Sequence, residues 1–120
     1  MKTVLVVDDE LDIAEAVKAI LEEERYRVVT CPNGREALKC LQESKPDLAI
    51  VDIMMPVMNG YETIKAIRQQ PPFEKLPILL MSAITPSVKA KEYEWEGFLK
   101  KPFSLKDLLD NVHRLAPQDP

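Results

Sequence analysis

The chain has 120 residues, 46% of them apolar and 30% charged, with a formal net charge of −4. That length supports one domain around one core rather than two, and the acidic balance argues against a nucleic-acid module, which carries a basic face. No apolar run reaches membrane-spanning length, and the chain enters a strand pattern at Thr3-Val4, so no signal peptide is expected.

Val4-Leu5-Val6-Val7 is rich in β-branched residues and runs into Asp8-Asp9-Glu10, which predicts a first buried strand. Ile13, Ala16, Val17, Ile20 and Leu21 then recur at helical spacing, with Glu22-Glu23-Glu24 at or after the last turn. Asp8 or Asp9 can cap the start of this helix, because a carboxylate satisfies free backbone N–H groups there. Arg27-Val28-Val29-Thr30-Cys31 predicts a second strand, broken by Pro32-Asn33-Gly34. Ala37, Leu38 and Leu41 mark the apolar stripe of a second helix from Arg35 to Glu43. Cys31 and Cys40 are the only cysteines. They lack metal-ligand spacing and read as reduced thiols of a cytoplasmic protein.

Leu48-Ala49-Ile50-Val51 is apolar without alternation and is bounded by Pro46 on one side and by Pro56 and Gly60 on the other. It is too short for a helix and reads as a strand buried on both faces. Asp52 stands at its downstream end. A carboxylate is costly inside a core, so it belongs at the sheet edge, where water, a cation or a donor can reach it. Asn59-Gly60 closes the following loop, and Tyr61, Ile64, Ile67 and Arg68 open a third helix that Pro71-Pro72 stops.

Pro77-Ile78-Leu79-Leu80-Met81 predicts a fourth strand ending at Ser82. Ala83 to Glu96 is the least regular stretch. Phe98-Leu99-Lys100 predicts a short fifth strand, followed by Lys101-Pro102-Phe103. Ser104 is an N-cap candidate for a last helix with Leu105, Leu108, Leu109, Val112 and Leu115 on one face. Pro117 closes that helix, leaving residues 118–120 as a tail or the start of a linker.

Strands alternating with helices in this way predict an α/β fold, a doubly wound five-stranded parallel sheet with right-handed crossovers. Ligands of such sheets bind beyond the carboxyl ends of the strands. Those ends carry Asp8 and Asp9, Asp52, Ser82 and Lys101, so three carboxylates, a hydroxyl and an ammonium share one rim. Crowded carboxylates disfavour one another's ionisation, and a hard divalent cation relieves this. Mg²⁺ suits one or two carboxylates together with a phosphate. A carboxylate can also attack phosphorus to give an aspartyl-phosphate, whose oxygens then need the cation, the ammonium and the hydroxyl. Taken singly, each Asp is an ordinary turn former or cap, Ser82 a loop residue and Lys101 a solvated charge. Their coincidence at the ends of separate strands favours the site.

In combination, Val6-Val7-Asp8-Asp9-Glu10, Asp52-Ile53-Met54-Met55-Pro56 with Asn59-Gly60, Met81-Ser82-Ala83, and Phe98-Leu99-Lys100-Lys101-Pro102-Phe103 resemble a response-regulator receiver domain of two-component signalling. The resemblance covers residues 1–117 and implies a flavodoxin-like strand order of 2-1-3-4-5. It implies Asp52 as phosphoacceptor, with Asp8, Asp9, Asp52 and the Met54 backbone carbonyl as Mg²⁺ ligands. Ser82 and Lys101 would contact the phosphoryl group, Phe98 would take the place of the switch aromatic coupled to Ser82, and Lys101-Pro102 would be cis. Met54 and Ile84 are apolar where the family often carries polar groups, which predicts slow self-dephosphorylation. The plainer alternative is that both are packed loop residues. The stretch between Ser82 and Phe98 is short for the family by roughly one helical turn, so the fourth helix is expected to be shortened or irregular. Tyr93 and Trp95 are either exposed partner anchors or covers for the gap that it leaves.

The expected function is a cytoplasmic phospho-accepting switch. A histidine kinase or phosphotransfer protein supplies the phosphoryl group, and an unknown downstream protein reads the result. A homodimer formed on phosphorylation is a further expectation, with no nucleic-acid or membrane contact. The chain would act on its own aspartate and not turn over an external substrate. The competing readings are a receiver that docks without phosphorylation and a Mg²⁺-dependent aspartyl phosphatase. The second generally wants an additional acid near the nucleophile, where Met54 stands.

Overall fold

A computed structural model describes residues 1–86 and 94–118 of the chain. In order these form β1 (Thr3–Val7), α1 (Leu11–Glu23), β2 (Arg27–Cys31), α2 (Gly34–Ser44), β3 (Leu48–Asp52), α3 (Gly60–Arg68), β4 (Ile78–Ser82), β5 (Gly97–Lys100) and α4 (Leu105–Leu115). The five strands make one sheet in the order β2-β1-β3-β4-β5, and every pair is parallel. β1, β3 and β4 are buried along their whole length, which explains their unbroken apolar runs. Helices cover both faces, so alternate residues of one strand enter two separate cores. Val4 and Val6 meet α1 and α4 residues such as Val17, Leu21 and Leu108. Leu5 and Val7 meet Ala37, Leu41 and Ile64 of α2 and α3.

Helix boundaries follow capping chemistry. The Asn33 side chain accepts from the Glu36 N–H at 2.9 Å. Asn59 and Glu62 form a reciprocal capping box on α3, and Ser104 accepts from the Asp107 N–H at 3.0 Å. α1 departs from its expected start. Glu10 is at the N-cap position and makes no side-chain cap bond. Asp8 instead accepts from the Glu10 N–H at 2.8 Å, which fixes the turn leading into the helix. The buried stripe of α1 is Ala14, Val17 and Leu21. Ala16, expected on that face, is exposed.

Three ties span distant parts of the chain. The buried Tyr26 hydroxyl donates to the Ala116 carbonyl at 2.7 Å, fastening the end of α4 to the α1–β2 turn. The Arg68 guanidinium donates to the carbonyls of Leu76 at 2.6 Å and Glu94 at 3.1 Å, and to Glu96 Oε1 at 3.1 Å. That same carboxylate oxygen accepts from the Ile78 N–H at 2.7 Å. Cys31, buried at the end of β2, shares the core beneath α2 with half-buried Cys40. Burial pushes the Cys31 thiol well above its ordinary range, helped by a hydrogen bond with Cys40 and by the charges of Cys40, Glu36 and Glu43.

The expected short fourth helix, with Val88 and Tyr93, falls on residues 87–93 and lies outside the described residues. Trp95 is half-buried against the α2–α3 core, its ring 6.0 Å from that of Tyr61. It covers apolar surface.

Candidate functional site

The parallel sheet brings the carboxyl ends of β1, β3, β4 and β5 to one rim. Asp8 follows β1, Asp52 and Ser82 are the last residues of β3 and β4, and Lys101 follows β5. Lys101 is held in place by its own N–H, which donates to the Ser82 carbonyl at 2.8 Å, and its peptide bond to Pro102 is cis. From there its ammonium reaches three carboxylates: Glu10 Oε1 at 2.9 Å, Asp8 Oδ2 at 3.0 Å and Asp52 Oδ2 at 3.3 Å. Asp8 and Asp52 are each only 2% exposed, and Ser82 is fully buried.

The loop after β3 is shaped around the Asp52 carboxylate. The Met54 N–H donates to Asp52 Oδ1 at 3.2 Å, and the Gly60 N–H closes the loop onto the Ile53 carbonyl at 2.9 Å. A Cβ at Gly60 would lie 2.4 Å from the Asp52 carbonyl oxygen and 2.7 Å from the Ile53 Cα. The start of α3 can approach β3 this closely only with glycine there. On the neighbouring strand, Ser82 Oγ accepts from the Ile84 N–H at 3.2 Å.

Electrostatics set Asp52 apart. Burial and the charge of Asp8 push its carboxyl up to about 6, against the opposing pull of Lys101 and the Met54 N–H. Lys101 responds in the other sense. Burial works to lower its ammonium, but hydrogen bonds to Glu10 and Asp8 and the charges of Asp8 and Asp52 outweigh it and hold it above its ordinary range. One ammonium among three carboxylates leaves excess negative charge at a site where two of the acids are buried. Asp8, Glu10 and Asp52 each offer an oxygen, all within 4.8 Å of one another. This is an acidic pocket of hard oxygen donors, and it fits an oxygen-seeking divalent cation.

The sequence-predicted residues distribute as follows. Asp8, Asp52 and Lys101 are in direct contact, and Ser82 adjoins them on β4. Asp9 is exposed and stands outside the three-carboxylate group, in which Glu10 takes part. Glu10 was legible only as the third acid of an acidic run. Its role comes from the Asp8–Glu10 turn, which directs its carboxylate back toward Lys101. Phe98 is half-buried and packs on the α2–α3 core. Met54 and Ile84 are 59% and 48% exposed and line one surface pocket with Ile53, Met55, Asn59 and Tyr61.

Comparison with known proteins agrees with this geometry. The family model for the response regulator receiver domain matches residues 4–113. The regulatory protein VanRB of Enterococcus faecalis is 36% identical over 115 residues, which cover 93% of this chain and 51% of that one. The alkaline phosphatase synthesis transcriptional regulatory protein PhoP of Bacillus subtilis is 38% identical over 112 residues, 89% of this chain and 45% of that one. The chain therefore spans about half the length of the curated relatives it matches. Among solved structures, the chemotaxis protein CheY4 of Vibrio cholerae superposes with a TM-score of 0.89 at 38% identity, covering 96% of this chain and 98% of that one. The receiver domain of NtrX from Brucella abortus gives 0.84 at 29% identity, over 97% and 99%. Among the described residues no helix is long and apolar enough to cross a membrane. With the sheet order, the acidic pocket and the family match in agreement, the chain belongs to the response regulator receiver domain family of two-component signalling.

Proposed function

We propose that the chain is a phospho-accepting switch. Asp52 takes a phosphoryl group from a cytoplasmic histidine kinase or phosphotransfer protein in the presence of Mg²⁺, and a downstream protein reads the altered surface. The observation that carries the reading is the position of Lys101 Nζ, in contact with Asp8, Glu10 and Asp52 at once. Asp8, Asp9, Asp52 and the Met54 carbonyl are the ligand set that the family resemblance gives for the metal, and Glu10 lies beside Asp8 and Asp52 as a further oxygen donor. When bound, Mg²⁺ supplies positive charge to the carboxylates and to the oxygens of the phosphoryl group.

The chain's own residues do the rest. Asp52 acts as its carboxylate, which predominates at neutral pH with a pKa of about 6. Its oxygen forms a bond to phosphorus as the donor's bond to phosphorus breaks, the leaving nitrogen keeping the electron pair and taking a proton. Lys101 is already in place to balance charge on the new phosphoryl oxygens, so little reorganisation is needed. The Ser82 hydroxyl donates a hydrogen bond to one of those oxygens. Because the Ile84 N–H is bonded to Ser82 Oγ, movement of Ser82 is passed directly to the loop after β4. Phe98 pairs with Leu80 of β4, two residues before Ser82, in the sheet register, and the changed face comprises β5, α4 and their connections. Transfer onto Asp52 is a single event per phosphoryl group, not turnover of an external substrate. Self-association of the phosphorylated chain through this face belongs to the same reading.

The test is incubation with Mg²⁺ and acetyl phosphate followed by intact-mass measurement, with size-exclusion chromatography of the same sample. The expected result is a gain of one phosphoryl mass that Asp52→Asn abolishes. No gain in the unaltered protein under saturating conditions would favour a docking module instead. Steady phosphate release from an external phosphomonoester that Asp52→Asn abolishes would favour the phosphatase.

A further inference from the structure

We propose that Met54 is an oxidation site, where a peroxide converts the thioether to a sulfoxide and so shortens the life of a phosphoryl group on Asp52. The chain has five methionines, and the fold treats them unequally. Met81 is fully buried in β4, and Met55 is 8% exposed. Met58 packs its sulfur beside Gly34 of α2. Met1 is 89% exposed, but it precedes β1 and lies at the far end of the sheet from Asp52. Met54 combines exposure, 59%, with a place at the rim. Its N–H donates to Asp52 Oδ1 at 3.2 Å, which keeps the residue beside that carboxylate. Its side chain lines a pocket of about 480 Å³ with Ile53, Met55, Asn59, Tyr61 and Ile84. The Ile84 wall is tied to Ser82 Oγ through its N–H, and the Asn59 side-chain oxygen is engaged in capping α3. A thioether open to solvent on this mainly apolar wall is within reach of a small oxidant, and oxidation makes it polar.

The oxidation is a two-electron oxygen transfer. With hydrogen peroxide, a sulfur lone pair attacks one oxygen and the O–O bond breaks. The expelled hydroxide takes the proton of the transferred oxygen and leaves as water. The sulfur loses two electrons and the peroxide gains them. The sulfoxide oxygen is a strong acceptor and holds water in the pocket beside Asp52, which the thioether, a weak acceptor, does not. A water held there attacks phosphorus as the bond to the Asp52 oxygen breaks. The carboxylate keeps the electron pair, and both hydrogens of the water end on the released phosphate. The oxidation site stands on exposure and position, whereas its effect on lifetime rests on the phosphoacceptor role of Asp52.

The chain is treated natively with dilute hydrogen peroxide, quenched with catalase, digested and mapped by peptide fragmentation, which separates Met54 from Met55. Met1 and Met54 should gain oxygen several-fold faster than Met55 and Met81, and the two stereospecific methionine sulfoxide reductases together should remove it. Oxidised and untreated chains are then phosphorylated with acetyl phosphate and Mg²⁺, freed of donor and chased by intact mass. The oxidised chain should lose its group several-fold faster. In Met54→Leu, which still carries the Met1 sulfoxide, peroxide should leave the lifetime unchanged. The site is overturned if Met54 oxidises no faster than Met55 and Met81. The effect is overturned if lifetimes with and without peroxide are equal, or if Met54→Leu shows the same acceleration. An untreated chain that takes up no phosphoryl group would overturn the Asp52 reading and the lifetime effect with it, while the peptide map still decides the oxidation site.

Discussion

Lys101 and Asp52, 49 residues apart in the chain, are an ion pair of 3.3 Å whose carboxylate is 2% exposed. The ammonium is shared with Asp8 and Glu10, so its removal leaves three acids without their cation. Lys101→Met should cost the chelator-treated protein on the order of 2–4 kcal/mol, the usual penalty for stranding buried charge. Added Mg²⁺ should recover a large part of it. Urea unfolding with and without Mg²⁺ measures both. Equal stability of variant and parent in chelator would contradict this account of the site.

Asp52 makes stability depend on pH. Its carboxyl, ordinarily near 4, is pushed up to about 6 in the folded chain, so the folded state holds the proton more tightly than the unfolded one. The stability gained from that proton is fully present below the ordinary carboxylate range and is lost as pH rises through about 6. In the absence of divalent cations this group should therefore make the protein more stable at about pH 5 than at about pH 7, by on the order of 1–3 kcal/mol. Asp52→Asn should remove most of that difference in paired unfolding curves.

Gly60 and Gly97 should respond differently to alanine. At Gly60 the new Cβ meets main-chain atoms, the Asp52 oxygen at 2.4 Å and the Ile53 Cα at 2.7 Å. Neither can yield without moving the loop after β3. Gly60→Ala is expected to cost about 2 kcal/mol or more and to impair phosphorylation by acetyl phosphate. At Gly97 the nearest atom is the Arg114 Nη2, at 2.8 Å, the far end of a flexible side chain whose bond to Asn111 Oδ1 can shift with it. Gly97→Ala should cost no more than about 1 kcal/mol and leave phosphorylation intact.

Tyr26→Phe deletes the buried bond to the Ala116 carbonyl and leaves that acceptor unpaired. A loss of about 1–2 kcal/mol is expected, read as a lower urea midpoint with an unchanged slope. Acetyl phosphate labelling should be unaffected, because the bond lies at the opposite end of the sheet from Asp52.

Met54 and Ile84 carry apolar side chains on the surface pocket next to Asp52. Neither can hold a water by hydrogen bonding, so the phosphorylated chain should lose its group slowly. Met54→Asn should shorten the lifetime several-fold in a chase experiment followed by intact mass. A lifetime of seconds in the unaltered protein, or no effect of Met54→Asn, would count against this role.

The sheet and most of the site were legible because the determining signals are local. Apolar runs such as Leu48–Val51 mark strands buried on both faces, and parallel pairing carries the acids that follow them to one rim. Contacts set by how elements pack were not legible. Glu10 rather than Asp9 faces Lys101 because the turn is fixed by Asp8. α1 buries Ala14 rather than Ala16 because its inward stripe runs through Val17 and Leu21. The Tyr26–Ala116 bond depends on where α4 settles on the sheet, which side-chain spacing along the chain does not record.

Arg68 gives the region around Phe98 a fixed mooring. By gripping Leu76, Glu94 and Glu96 together, it berths the approach to β5 alongside the approach to β4, at the end of the sheet remote from Lys101. The approaches to both strands are therefore held by one guanidinium. With its entry moored in this way, β5 has no slack to slide along β4, and the Leu79–Gly97 pairing stays in register.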